Sequence, residues 1–239
     1  MARRQPSVQQ APPAQRLRIC YARRGPARFT SHRDFGRVLE RALRRAGVPM
    51  AYSSGFSPRP RISYANAAPT AAASEAEYAE LGLKEVCDPV KVVAALNRVL
   101  PSGFEVLGAA VAGRASLGEL LQASDWEAAV GDCDRAVLSA AVHRLLDSPE
   151  ALVERMTKSG KRVFDTRAAV LDLTAPADGL VRIRMKHLTP LVRPDDVITV
   201  LRRLEPAIPV QAVLLTRLRQ GPLTQDGIGD PFTGERVEQ

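Results

Sequence analysis

The first cluster of potentially reactive or ligand-binding side chains lies at the predicted N-terminus of a helix. Ser31, His32, Arg33 and Asp34 follow one another and offer a hydroxyl, an imidazole, a guanidinium and a carboxylate. Backbone N–H groups and the helix dipole favour an anion at such an N-terminus, so the cluster predicts a phosphate site. The alternative is that Ser31 and Asp34 only cap the helix, a role that needs neither His32 nor Arg33.

A second cluster lies in a loop that two prolines stiffen. The segment Ser57–Arg61 alternates these prolines with Arg59 and Arg61. A rigid loop loses little entropy on binding, and a guanidinium can bind phosphate through two parallel hydrogen bonds. We therefore expect Arg59 and Arg61 to contact a ligand while the ring of Phe56 or Tyr52 stacks on a base.

One carboxylate is a further candidate for catalysis. Asp165 lies between Arg162 and Arg167 on a segment, Val163–Leu173, that is predicted to be a strand. An ion pair with a neighbouring arginine is the ordinary interpretation, and a catalytic aspartate is the alternative.

Motifs for other chemistry are missing from the sequence. The chain lacks Gly-x-Gly-x-x-Gly, the P-loop, His-Glu-x-x-His and Gly-x-Ser-x-Gly. Its three histidines and three cysteines are spaced too widely for a metal site. We predict neither a metal nor a cofactor, and whether the chain is an enzyme stays open, with the balance against it.

The charge of the chain is strongly polarised. The formal net charge is +8, but residues 1–65 hold 14 arginines against Asp34 and Glu40, which gives +12 there and −4 elsewhere. The same segment contains six of the eleven aromatic residues. Clustered arginine with interleaved aromatic residues favours a nucleic-acid partner, and RNA in particular. The alternative is that arginine is merely abundant and the aromatic rings are core.

One helix stands out among the predicted elements. Its apolar stripe begins at Phe35 and ends at Ala46, before Gly47 and Pro49 terminate the helix. Its remaining surface is cationic, with Glu40 the only acid beyond the first turn. The arginines predicted on that surface are Arg33, Arg37, Arg41, Arg44 and Arg45.

The apolar periodicity predicts an α+β protein with two tandem ferredoxin-like halves. The element order βαββαβ, which gives two helices on one face of an antiparallel four-stranded sheet, is predicted for residues 16–113 and again for residues 124–219. Seven positions of 89–101 match positions 105 residues later, which favours duplication. Residues 1–15 are expected to be a disordered arm and residues 220–239 a disordered tail. Arg182, Arg184 and Lys186 are expected to give the uncovered face of the second sheet a positive charge.

Four segments of the chain carry a family resemblance: Arg28–Asp34, Glu40–Pro49, Tyr52–Ser63 and Ala73–Tyr78. They resemble the bacterial radical SAM-linked protein family. The resemblance covers most of residues 16–205, and Arg59 and Arg61 stand where the family often has His and Lys. It implies a domain found fused to, or encoded beside, radical SAM proteins, in a family whose function is unknown. The chain itself lacks the Cys-x-x-x-Cys-x-x-Cys that holds the usual radical SAM cluster, so it would act in trans.

Together these features predict a cytoplasmic RNA-binding accessory protein that presents tRNA or rRNA to a modifying or processing enzyme. One alternative is an RNA-modifying enzyme similar to a pseudouridine synthase, with Asp165 as nucleophile. Another is a protein-binding scaffold for a radical SAM partner. The first hypothesis expects one anion-binding groove built from Ser31, His32, Arg33, Arg37, Arg41, Arg44, Tyr52, Phe56, Arg59 and Arg61.

Overall fold

The computed structural model of the chain describes residues 9–157 and 160–232. It is a mixed α+β protein that divides into two compact units. Unit 1 is Met1–Leu120 together with Asp230–Gln239, and unit 2 is Leu121–Gly229. None of the helices in these residues is long and apolar enough to cross a membrane.

Unit 1 contains a four-stranded antiparallel sheet in the order β4-β1-β3-β2. A 3-10 turn at Gly25–Phe29 precedes its first helix. The strands are β1 (Gln15–Arg23), β2 (Ile62–Ala65), β3 (Ala73–Leu83) and β4 (Phe104–Val111), and the helices are α1 (His32–Arg45), α2 (Pro89–Asn97) and α3 (Leu117–Leu120).

Helix α1 forms where the sequence predicts it. Its apolar positions recur at helical spacing, and burying them against the sheet supplies the stability that a short helix lacks on its own. Gly47, at φ +67°, follows the helix in the left-handed region that favours glycine. The buried residues of α1 are Phe35, Leu39, Ala42 and Leu43.

The core of unit 1 lies between α1, α2 and one face of the sheet. Leu17 and Ile19 of β1 pack there with Leu81 of β3. The other face is also covered, because Phe232 packs edge-on against Tyr78 with ring centroids 5.8 Å apart. Both faces of this sheet are therefore buried at its centre.

Unit 2 repeats the strand order of unit 1. Its antiparallel sheet runs β10-β5-β9-β8, and a separate hairpin of β6 and β7 precedes β8. The strands are β5 (Ala123–Ala129), β6 (Leu152–Thr157), β7 (Gly160–Asp165), β8 (Val170–Ala177), β9 (Leu180–Lys186), β10 (Leu214–Gly221), β11 (Leu223–Thr224) and β12 (Gly227–Ile228). The helices are α4 (Arg135–Asp147), α5 (Thr166–Ala169) and α6 (Pro194–Leu204).

Two local predictions differ from the structure. The strand predicted over Val163–Leu173 is interrupted by α5, because Asp165 caps a short helix there. The predicted tail begins inside β10 and continues into the β11–β12 hairpin. Short strands of two residues carry too little periodicity to be recognised in a sequence. Residues 1–8 of the predicted arm and residues 233–239 lie outside the described residues.

Candidate nucleic-acid interface

Helix α1 has five exposed arginines, and Arg45 lies to one side of the other four. We call these four the arginine stripe: Arg33, Arg37, Arg41 and Arg44. At 3.6 residues per turn, these four positions fall within about 80° of one another around the helix axis. From first to last they span about 16 Å along the axis. The stripe is therefore a narrow line of positive charge rather than a diffuse patch.

Most of the stripe is not neutralised by the protein. Within residues 9–157 and 160–232, Arg33, Arg41 and Arg44 form no ion pair and no side-chain hydrogen bond. Arg37 contacts Asp34 at 3.4 Å, in a pair whose side chains are both more than half exposed. An exposed pair of this kind contributes little and exchanges readily with another anion.

The N-terminus of α1 is already occupied by a carboxylate. The backbone N–H of Asp34 donates to Ser31 Oγ, and the Ser31 hydroxyl donates to Asp34 Oδ2 at 2.7 Å. Ser31 and Asp34 therefore cap the helix, as the alternative interpretation predicted. The phosphate site predicted at this helix end would have to displace the carboxylate of Asp34.

His32 is exposed and rests against the ring of Tyr64. The two ring centroids are 4.8 Å apart in an edge-to-face arrangement. The Tyr64 hydroxyl is buried and, among the described residues, has no hydrogen-bond partner. Burial, and next the charge of Glu40, raise the pKa of Tyr64 far above its usual value, so the hydroxyl stays protonated. The ring of His32 therefore contacts β2 through Tyr64.

The two arginines of the proline loop have different roles. Arg59 is exposed, and only its backbone is used, in two hydrogen bonds with Ser53. Arg61 is half-buried and its Nε donates to the carbonyl of Tyr52 at 3.1 Å, which closes the loop. Arg59 is therefore available to a ligand, whereas Arg61 holds the loop together.

The two aromatic rings of the loop region also differ. Phe56 is 79% exposed at the tip of the loop, so its ring is open to a stacking partner. Tyr52 is half-buried against the core of unit 1, and the Lys84 ammonium lies 5.8 Å from its ring centroid. Phe56 is the better placed of the two for stacking on a base.

The expected single groove is not formed by all the arginines of the first 65 residues. Arg16 and Arg18 pair with Glu80, and Arg24 pairs with Glu75 and Glu105. No hydrogen bond, ion pair or ring contact of the described chain joins the arginine stripe to the proline loop.

Two residues of the turn that leads into α1, Arg28 and Phe29, were not predicted as part of a site. Phe29 is 58% exposed there, and the Arg28 guanidinium lies over its ring, 4.3 Å from the centroid. Arg23 is 4% exposed and donates to the carbonyls of Thr30, Ala68, Pro69 and Ala72. The adjacent Arg-Phe dipeptide after Gly-Pro was the signal available in the sequence.

Asp165 has a structural role in unit 2. Its Oδ1 accepts from the backbone N–H of Arg167 and from that of Ala151, each at 3.0 Å. These bonds cap α5 and fasten the start of the β6–β7 hairpin. The Arg167 guanidinium turns away, with Nε donating to the carbonyl of Leu146. The ion pair predicted for Asp165 is therefore absent from the described residues, and its Oδ1 is engaged in capping.

The sheet face of unit 2 is less positive than expected. Arg184 donates to Asp125 at 2.8 Å, and Arg182 pairs with Glu127 at 3.5 Å. The charge predicted for this face is thus partly compensated, because Asp125 also pairs with the exposed Arg219 at 2.9 Å. No group of three metal-ligating side chains occurs in the described parts of the chain.

A family model described as an uncharacterized protein conserved in bacteria (DUF2344) matches residues 16–195, which is most of the chain. The chain belongs to this family. The matched residues of DUF2344 include the arginine stripe, the proline loop and Asp165.

Other comparisons add little to the family assignment. No curated protein matches the chain. One solved structure that matches this DUF2344 chain is the crystal structure of an unknown protein from Galdieria sulphuraria, at 15% identity. The match covers 87% of this chain and 98% of that one with a TM-score of 0.25, a value too low to support an argument about fold or role.

Proposed function

We propose that this protein binds RNA through the arginine stripe of α1 and acts as a cytoplasmic accessory factor for an RNA-modifying or processing enzyme. The observation that carries the proposal is the exposed line of guanidiniums, of which Arg33, Arg41 and Arg44 have no protein partner in the described residues. Unpaired positive charge in a line attracts a polyanion, releases its counterions and so gains affinity.

The spacing of the stripe favours a nucleic-acid strand over a small anion. Successive members from Arg33 to Arg41 are four residues apart, which is about 6 Å along the helix axis. A regular series of charges matches the regular series of phosphates in one strand. Guanidinium forks also bind phosphate oxygens in pairs, which point charges do not.

The proline loop supplies a second contact in this proposal. Arg59 adds a guanidinium, and Phe56 at the loop tip adds an exposed ring on which an unpaired base can stack. Recognition by phosphate contacts and stacking, without a groove for base edges, suits single-stranded RNA or the loops of tRNA or rRNA.

We further propose that both units are ferredoxin-like. In each, the sheet order places the last strand beside the first, and the third between the first and second. Many RNA-binding sheets of this plan use the sheet face. Here that face is covered by Phe232 in unit 1 and is partly charge-compensated in unit 2, so the helix side is the more suitable surface.

A radical SAM protein is proposed as the enzyme partner on the resemblance of the four quoted segments alone. In this arrangement the partner performs the chemistry and the present chain supplies RNA affinity. The alternative of a catalytic Asp165 loses support, because its Oδ1 accepts one hydrogen bond that caps α5 and another from the backbone N–H of Ala151 at the start of the β6–β7 hairpin.

The proposal is tested by the salt dependence of binding to a short oligouridylate. Neutralising about five phosphates should give a slope of log affinity against log salt of about −3 to −4. Replacing all four stripe arginines by glutamine should flatten the slope by about 2 to 3 units. The matched control is Arg162→Gln, an exposed arginine of unit 2 whose loss should leave the slope unchanged.

Two results would overturn the proposal. One is failure of the native protein to bind oligouridylate at low salt, and the other is an equal slope for the stripe variant and Arg162→Gln. Crosslinking in cells followed by RNA sequencing then identifies the RNA. Recovery of a protein partner without RNA would favour the scaffold hypothesis instead.

A further inference from the structure

We propose that Phe29 is a stacking platform for an unpaired RNA base at the N-terminal end of the arginine stripe. This inference rests on the proposed function and adds to it a base-binding position. The site comprises the ring of Phe29, the guanidinium of Arg28 and the neighbouring cation Arg33.

Phe29 is exposed at the end of the Gly25–Phe29 turn. It is 58% exposed, whereas Ala27 of the same turn is buried. The Arg28 guanidinium lies over the ring at 4.3 Å, so one side of the platform already carries a cation. A base that stacks on the ring gains from the aromatic contact and brings its own phosphate towards that cation.

The turn that carries Phe29 is held rigidly from both sides. Thr30 N–H donates to the carbonyl of Ala27 at 3.0 Å, and Ala71 N–H donates to that of Arg28 at 2.9 Å. Gly103, at φ +88°, approaches so closely that an added Cβ would lie 2.7 Å from that of Ala27. A ring fixed in this way costs little conformational entropy when a ligand binds.

The position of the turn connects the platform to the stripe. Phe29 precedes Arg33 by four residues, which limits their separation to about 14 Å along even a fully extended chain. One strand can therefore place a phosphate on Arg33 and a nearby base on Phe29. The unpaired charge of Arg33 supplies the complementarity that identifies the occupant as a nucleotide rather than an apolar peptide.

The test compares two probes of equal length: oligouridylate and an abasic ribose-phosphate oligomer. We expect Phe29→Ser to weaken binding of oligouridylate by at least about fivefold and to leave binding of the abasic oligomer unchanged. Phe29→Tyr, which keeps the ring, should bind oligouridylate like the native protein. Thermal melting of each variant verifies that the fold is intact.

The outcomes separate this inference from the proposed function. Equal oligouridylate affinity for native protein and Phe29→Ser would overturn the platform while leaving the stripe intact. An equal loss for both probes would also overturn it, because stacking cannot act on an oligomer without bases. If the native protein binds neither probe, the proposed function falls and the platform with it.

Discussion

Ser31 and Asp34 exchange two hydrogen bonds at the first turn of α1. The hydroxyl of Ser31 donates to the carboxylate of Asp34 at 2.7 Å and accepts from the Asp34 backbone N–H at 3.2 Å. This arrangement caps one backbone N–H of the first turn and places a carboxylate there. The carboxylate disfavours a second anion at the helix end, so the side of the helix, where the arginine stripe lies, is the more suitable surface for phosphates.

The same pair predicts opposite effects on stability and binding. Asp34→Ala removes a favourable charge at the helix N-terminus and should lower the free energy of unfolding by roughly 0.3–1 kcal/mol. The substitution also frees Arg37, so the affinity for oligouridylate should rise. The slope of log affinity against log salt should then steepen by up to about 0.7. Urea denaturation and salt titration measure the two effects. A loss of affinity would contradict the placement of the RNA along the stripe.

Arg59 and Arg61 should differ when each is replaced by alanine. Arg59→Ala should flatten the salt slope by about 0.7 with no change in stability, because only its backbone is engaged by the protein. Arg61→Ala should lower stability by about 1 kcal/mol, since it leaves the carbonyl of Tyr52 without its donor. Equal stability of the two variants would show that the loop does not depend on Arg61.

Arg23 is expected to be the most sensitive arginine of unit 1. Arg23→Met should lower the free energy of unfolding by about 3 kcal/mol or more, because several carbonyl groups lose their donor together. Arg23→Lys should not rescue it, since an ammonium cannot reproduce the planar fork. The control is Arg98→Met at an exposed position, and comparable urea midpoints for both methionine variants would refute the prediction.

Two substitutions of Asp165 test whether its carboxylate has a structural or a catalytic role. Asp165→Asn keeps an oxygen that can cap α5 and should cost well under 1 kcal/mol, whereas Asp165→Ala should cost about 0.5–2 kcal/mol. Neither change should affect RNA binding. If cellular RNA lost a modification in the Asp165→Asn strain while the protein stayed folded, the catalytic alternative would be revived.

Acid should destabilise unit 2 through His187. Its Nδ1 lies 2.6 Å from the carbonyl oxygen of Leu121 and its Nε2 lies 2.9 Å from Ser124 Oγ. Burial lowers the pKa of His187 below its ordinary value of 6.5. The unfolded chain therefore binds a proton at His187 more readily than the folded chain does. The stability that is present above about pH 6.5 is lost as the pH falls towards the lowered pKa of the folded state.

The measurement is the free energy of unfolding between about pH 7 and pH 5.5. In His187→Gln, the free energy of unfolding should fall less between these two pH values than in the native protein. In the control variant His143→Gln, which changes an exposed histidine, it should fall as much as in the native protein. An identical pH dependence for native protein and His187→Gln would show that His187 does not carry the effect.

The sequence predicted α1 and its capping well because the relevant interactions are local. The apolar spacing of Phe35, Leu39 and Leu43 and the cap at Ser31 all lie within four turns of one helix. Periodicity reports such contacts directly, since the residues that share a face are only three or four positions apart.

The division of the arginines could not be predicted, because their partners are distant in sequence. Arg24 meets Glu75 and Glu105 only after three strands have come together, and Arg18 meets Glu80 across β1 and β3. An arginine adds one positive charge to the net charge of a sequence whether or not its guanidinium is paired with an acid in the folded protein. The role of Asp165 was hidden for a similar reason, since its partner Ala151 lies on the other side of a hairpin.

Residues 230–232 impose an order on how unit 1 is completed. Arg18, which is fully buried, donates to the carbonyl of Pro231, and Phe232 packs beside Gly108 as well as Tyr78. During synthesis, Arg18 lacks this carbonyl partner and Tyr78 lacks this ring partner until the ribosome has made all of unit 2. A nascent chain halted before residue 230 would leave these two side chains without those contacts.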